Sequence, residues 1–129
     1  MNPETSPKQQ LLVWWVLWLA FLVGSVVEYQ FLSHPVSGNA TSPLPWELAL
    51  IPLLAGTAIR WGLLPRLKDA TKALPFFVVG IALCEATLFF GIFIFSAQQR
   101  DLAILAFLGI AQFAPVFASK YFGGDDEPR

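Results

Sequence analysis

Glu85 stands at the midpoint of an apolar run, Leu74–Phe95. At 1.5 Å per helical residue it lies about 16 Å from either end. A charged carboxylate at that depth costs at least about 2.5 kcal/mol on insertion scales. The neutral acid is therefore the form expected there, unless a cation or water is near. Gln112 occupies the same depth in a later run, Leu102–Phe122. The short turn Ser96–Asp101 makes these runs antiparallel neighbours, which predicts that the two side chains meet. A protonated Glu85 would then donate to the Gln112 carbonyl and accept from its amide. Glu85 and Gln112 are the candidate ion-binding pair.

Two further charges are set into the apolar runs. Counted along the membrane normal, Arg60 falls about 8 Å to the inner side of Glu85 and Glu28 about 10 Å to the outer side. A base, a neutralisable acid and a second acid staggered in this way are the ingredients of a proton or ion path. The simpler expectation is that Arg60 and Glu28 snorkel to their nearer interfaces. Glu85 has no interface within reach, so it is the residue that calls for a function or a specific contact. Polar and small residues also form stripes: Gly24, Ser25 and Glu28 on one run, and Gly56, Thr57 and Arg60 on another. Asp101, Gly109, Gln112 and Ser119 form a third. Gly80, Cys84, Thr87 and Gly91 make a stripe suited to close helix packing.

Other chemistries find few residues. The single cysteine, Cys84, is flanked by apolar residues, so its thiol is expected to be inert, and no disulfide can form within the chain. The single histidine, His34, excludes a bis-histidine haem or a histidine metal cluster within one chain. No metal site and no cofactor are expected. There is no phosphate loop and no HExxH. Glu28, His34 and Glu47 near the outer face are the one catalytic grouping the residues allow, and the chain is not expected to be an enzyme. The net charge of −1 gives no reason to expect a nucleic-acid partner.

The elements that must position these groups are membrane spans. Hydrophobic residues make up 56% of the 129 residues and charged ones 13%, against about a quarter charged in soluble domains. About 20 apolar residues cross a bilayer core. Four runs qualify: 11–32, 46–64, 74–95 and 102–122. The expected fold is all-α, a polytopic four-helix transmembrane bundle spanning 11–122. A segment 1–10 precedes it and an acidic tail 123–129 follows it. Lys8, Arg60, Arg66, Lys68, Lys72, Lys120 and Arg129 fall on one side and Arg100 alone on the other. By the positive-inside rule both termini are cytoplasmic. Trp14, Trp15 and Trp18 then mark the inner interface and Trp46 the outer. The first run is longer than the core of a signal peptide and is expected to be retained. Asn39-Ala40-Thr41 is a glycosylation sequon in the outer loop, relevant only in a glycosylating host.

The segment Gly80-Ile81-Ala82-Leu83-Cys84-Glu85-Ala86, followed by Gly91 and Ile94, resembles the ion-carrying helix of the F-type ATP synthase c subunit. That family often reads Gly-x-Ala-Leu-x-Glu-Ala before a glycine and an apolar run. The resemblance implies that Glu85 binds and releases a transported proton or sodium ion, with the basic loop Arg66–Lys72 on the cytoplasmic side. It covers one helix of four. The alternate-glycine run of the family's other helix is missing, since Trp46–Leu64 has only Gly56 and Gly62, plus Pro52.

Two functions follow. The first is a structural or accessory membrane subunit that packs through its polar and small-residue faces. The second is a homo-oligomeric protein that translocates a proton or cation, with Glu85 as the titrating site. Only Glu85 demands the second, so the sequence by itself favours the first. Either way the partners are the lipid bilayer and further copies or a larger complex. The expected location is a bacterial inner (cell) membrane.

Overall fold

A computed structural model describes residues 6–35 and 43–122. The Asn39-Ala40-Thr41 sequon, the acidic tail Asp125–Glu127 and Arg129 lie outside the described residues. Every regular element among the described residues is helical.

Helix α1, Pro7–Leu32, starts a turn before the predicted Leu11 because a capping box is available. The Ser6 hydroxyl accepts from the Gln9 N–H at 3.2 Å, and the Gln9 side chain accepts from the Ser6 N–H at 3.1 Å. Both satisfy donors that the first turn leaves orphaned, and Pro7 needs no such partner. The helix ends at Ser33, two residues before Pro35.

The second span is one rod built from four pieces. A 3-10 turn, Trp46–Ala49, leads into α2, Leu50–Ala58. A π turn, Ile59–Leu63, and a last 3-10 turn, Leu64–Arg66, complete it. Helix α3, Ala70–Phe93, is capped by Asp69, whose carboxylate accepts from the Thr71 N–H at 2.9 Å. It is the hub, packing against α1, α2 and α4. Its buried face runs Ala73, Phe77, Gly80, Cys84, Thr87 and Gly91, the three- and four-residue spacing of a helical stripe.

Helix α4 is Gln99–Ala111, and α5 is Ser119–Phe122. The single helix predicted over Leu102–Phe122 is thus divided. Pro115 has no N–H to offer the Ala111 carbonyl, and it disfavours helical geometry at Ala114. Tight turns replace the helix, with Ala114 N–H bonding back to Ala111 at 3.1 Å and Ala118 N–H to Pro115 at 3.1 Å. The segment still runs the length of the bundle. Gln99 meets His34 beyond the end of α1, while Tyr121 reaches Leu64 at the far end of the second span. Among the described residues, three helices are long and apolar enough to cross a membrane: Lys8–Leu32, Trp46–Arg66 and Ala70–Phe93.

Aromatic rings fill the core where Lys8 and Lys120 lie. Trp14 sits 4.6 Å from Phe77 and 5.7 Å from Tyr121, centroid to centroid. The Trp18 indole donates to the Ile110 carbonyl at 2.8 Å, near the end of α4, where that oxygen also accepts from the Phe113 N–H at 3.0 Å. The perimeter is apolar as well. Leu12, Val16, Leu19, Phe31, Ile51 and Leu108 are each more than half exposed. Apolar faces inside and out need a solvent that is itself apolar, which makes this a membrane protein.

Candidate functional site

Consecutive residues on a helix point about 100° apart, so Cys84 and Glu85 serve different neighbours. Cys84 faces α2 and α4. Its sulfur would lie 2.9 Å from a Cβ at Gly56 and equally near one at Gly109. Glu85 faces α1, where it lines one cavity with Glu28.

The predicted Glu85–Gln112 pair does not form. Gln112 lies on the Cys84 side, in a polar cluster of its own. Its amide donates to the Thr57 hydroxyl at 3.0 Å and more weakly to the Cys84 sulfur at 4.0 Å. Its side-chain oxygen accepts from the Trp61 indole at 2.8 Å. Its backbone carbonyl, freed where α4 ends, accepts from the Arg60 Nε at 2.6 Å. The Arg60 guanidinium also lies 4.1 Å from the Trp61 ring centroid and 4.2 Å from that of Phe117. Thr57 in turn donates to the Leu53 carbonyl at 2.9 Å. Each residue in this cluster has a polar partner. Depth alone suggested the Glu85–Gln112 contact, and the angle around α3 prevents it.

Glu28 and Glu85 line a cavity of about 230 Å³ with Ala20, Phe21 and Gly24. Nothing stands within 4 Å of where a Gly24 Cβ would be. The approach of Glu28 to Glu85 corrects the stagger of about 10 Å read from the separate spans. Relative height is set by His34, whose Nε2 lies 3.1 Å from the Ile92 carbonyl oxygen. Glu28 and Glu85 lie six and seven residues before that contact, and both line the same cavity. They share one depth.

An ionised carboxylate only accepts, so two carboxyls can bond to each other only when a proton lies between them. One oxygen of Glu28 is buried and has no hydrogen-bond partner. The Ser25 hydroxyl, one turn away, is fully buried and also without a partner. Two carboxyls lining one cavity, with buried polar atoms that lack partners, leave unmet hydrogen-bonding capacity on this flank of α3. Its chemistry is that of an acid pair that can give up a proton or exchange it for a cation.

The packing stripe on α3 is engaged within the chain. A Cβ on Gly80 would overlap the Phe113 ring, and one on Gly91 would come within 2.9 Å of Leu102. Thr87 donates to the Ala49 carbonyl at 2.8 Å. His34 is not set beside Glu28 or Glu47. Its ring faces the Ile92 and Pro35 carbonyls, and its backbone exchanges hydrogen bonds with Gln99. Among the described residues no three potential metal ligands cluster. Trp61 and Gln99 were not anticipated as polar partners. The available signals were the need of an indole N–H for an acceptor and the exposed carbonyls at helix ends.

Comparison with known proteins gives no match to this chain among family models, curated proteins or solved structures.

Proposed function

We propose that this is a small ion-handling membrane protein in which Glu28 and Glu85 hold one exchangeable proton, or a cation in its place, within the bilayer. The observation that carries the reading is that two carboxyls line one cavity, with no hydrogen-bond partner for the buried Glu28 oxygen. Structural acids in hydrocarbon are ordinarily paired with a base or a donor, and intramembrane acids without one mark ion and proton pathways. The local likeness to the c-subunit ion helix supports Glu85 as the carrier. Gly80 serves here to admit Phe113, however, so nothing supports a c-type ring.

The wider reading has the chain cross the membrane four times, 99–122 making the last crossing through its broken helix. Seven of eight basic residues then fall on the cytoplasmic side of a bacterial inner membrane. A second copy, in a homo-oligomer, would cover the open flank at Gly24. The alternative is the accessory-subunit reading, in which the polar and small-residue faces pack against each other or a larger complex; it leaves the cavity lined by Glu28 and Glu85 without a role.

The test is flux together with labelling. Proteoliposomes of the wild type should leak protons or sodium ions, and Glu85→Gln should abolish the leak while assembly stays intact. Dicyclohexylcarbodiimide attacks protonated buried carboxyls. It should label Glu85 or Glu28, and raising the pH should suppress the labelling as the shared proton is lost. Flux absent in the wild type, or undiminished in Glu85→Gln, overturns the proposal.

A further inference from the structure

We infer a second site at the opposite end of the bundle from His34: a groove between Lys68 and Lys120 that binds the phosphate of an anionic phospholipid. The inference does not depend on the proposed ion-handling role. The groove has a volume of about 230 Å³ and is lined by Pro65, Leu67, Lys68, Lys120 and Tyr121. It forms where the second span ends and α5 folds back against it.

The position of Lys120 is built by the fold. Its ammonium reaches the Leu64 and Pro65 carbonyls at 3.5 and 3.4 Å. The neighbouring Tyr121 hydroxyl donates to the Leu64 carbonyl at 3.1 Å. An ammonium has three donors, so two weak contacts hold the group over the groove and leave capacity for an anion. Lys68 lines the groove from the other element. The carboxylate next to it in sequence, Asp69, caps α3 through Thr71. Neither ammonium meets a carboxylate among the described residues. Among the described residues, two cations without a carboxylate partner therefore share one concavity.

Location selects the ligand. The groove lies just beyond the apolar span Trp46–Arg66 and just before Ala70–Phe93, which is headgroup height. Its apolar wall, Pro65 and Leu67, suits the glycerol and upper acyl carbons below a phosphate. Arg66 and Lys72 stand exposed nearby and add to the local field. Basic pockets of this kind on transmembrane proteins take anionic headgroups, with lysines near the surface contributing to the attraction.

The experiment is native mass spectrometry of the full chain released from bilayers of phosphatidylcholine mixed with phosphatidylglycerol. The wild type should retain phosphatidylglycerol in preference to phosphatidylcholine. Lys68→Gln and Lys120→Gln should each reduce that preference about five-fold, and Arg100→Gln, at the far end, should leave it unchanged. Lys120→Gln loses carbonyl contacts and could unfold the end of the chain. Lys68 makes no such contact, so Lys68→Gln is the deciding variant. Equal retention by Lys68→Gln and wild type overturns the site. Inorganic phosphate is the second arm. If it raises the thermal midpoint in detergent as far as phosphatidylglycerol does, the lipid assignment is overturned in favour of a free phosphate.

Discussion

The two flanks of α3 differ in how completely their polar groups are met. On the Cys84 flank, Gln112 bonds to Thr57 and Trp61 through its side chain and to Arg60 through its carbonyl. Backbones approach closely there, so that a Cβ on Gly56 would lie 2.7 Å from the Gly80 carbonyl. On the Glu85 flank, the Ser25 hydroxyl and a Glu28 oxygen are buried without donors, and Gly24 faces open space. A saturated network stabilises one arrangement, whereas an unsaturated one holds free energy that binding can recover. The first flank builds the fold, and the second is where a ligand has something to gain.

Small-residue changes should expose this contrast most strongly. Gly56→Ala forces a methyl against a backbone carbonyl that cannot step aside. It should cost about 2–3 kcal/mol in reversible unfolding in mixed micelles. Gly24→Ala meets nothing and should be neutral, or stabilise by roughly 0.5–1 kcal/mol through helix propensity. Equal losses at both positions would end the distinction between the flanks.

Polar deletions give the next largest effect. Gln112→Leu leaves the Trp61 indole without its acceptor and removes the donor to Thr57, and should cost about 1 kcal/mol, two intramembrane hydrogen bonds at about 0.6 kcal/mol each. The double change Glu28→Leu with Glu85→Leu removes two acids and a shared proton from hydrocarbon. It should leave stability unchanged or raise it, while removing flux. A clear destabilisation by the double change would make the acid pair structural. The smallest effect is expected at Trp18. Trp18→Phe removes one indole bond to the Ile110 carbonyl and should cost about 0.6 kcal/mol. The shift should show in the same unfolding titration as a small displacement of the midpoint.

Three long helices were legible because apolar length is a one-dimensional signal. The runs read as 11–32, 46–64 and 74–95 correspond to Lys8–Leu32, Trp46–Arg66 and Ala70–Phe93. The break in the fourth run was legible too, in Pro115, but hydropathy averages over a missing N–H. The site itself was only half legible. Glu85 stood out by depth, yet its partner depends on angle and on the relative height of α1 and α3. Neither is written in one segment. A contact between distant residues, His34 with the Ile92 carbonyl, sets that height. Gln112 showed the same gap from the other side. It shares the depth of Glu85 but belongs with Cys84, one residue and about 100° away.

The broken fourth helix also imposes an order on biogenesis. Arg60 leaves the ribosome some fifty residues ahead of the Gln112 carbonyl and the Phe117 ring that receive it. Segments emerge amino-terminal first, so the second span must enter the bilayer with its guanidinium still drawn toward the headgroups. That charge can settle into the bundle only once the segment carrying Gln112 and Phe117 has followed. A nascent chain stalled before Gln112 should therefore keep Arg60 at the aqueous boundary, where a charge-sensitive crosslinker can reach it. The finished chain would protect it.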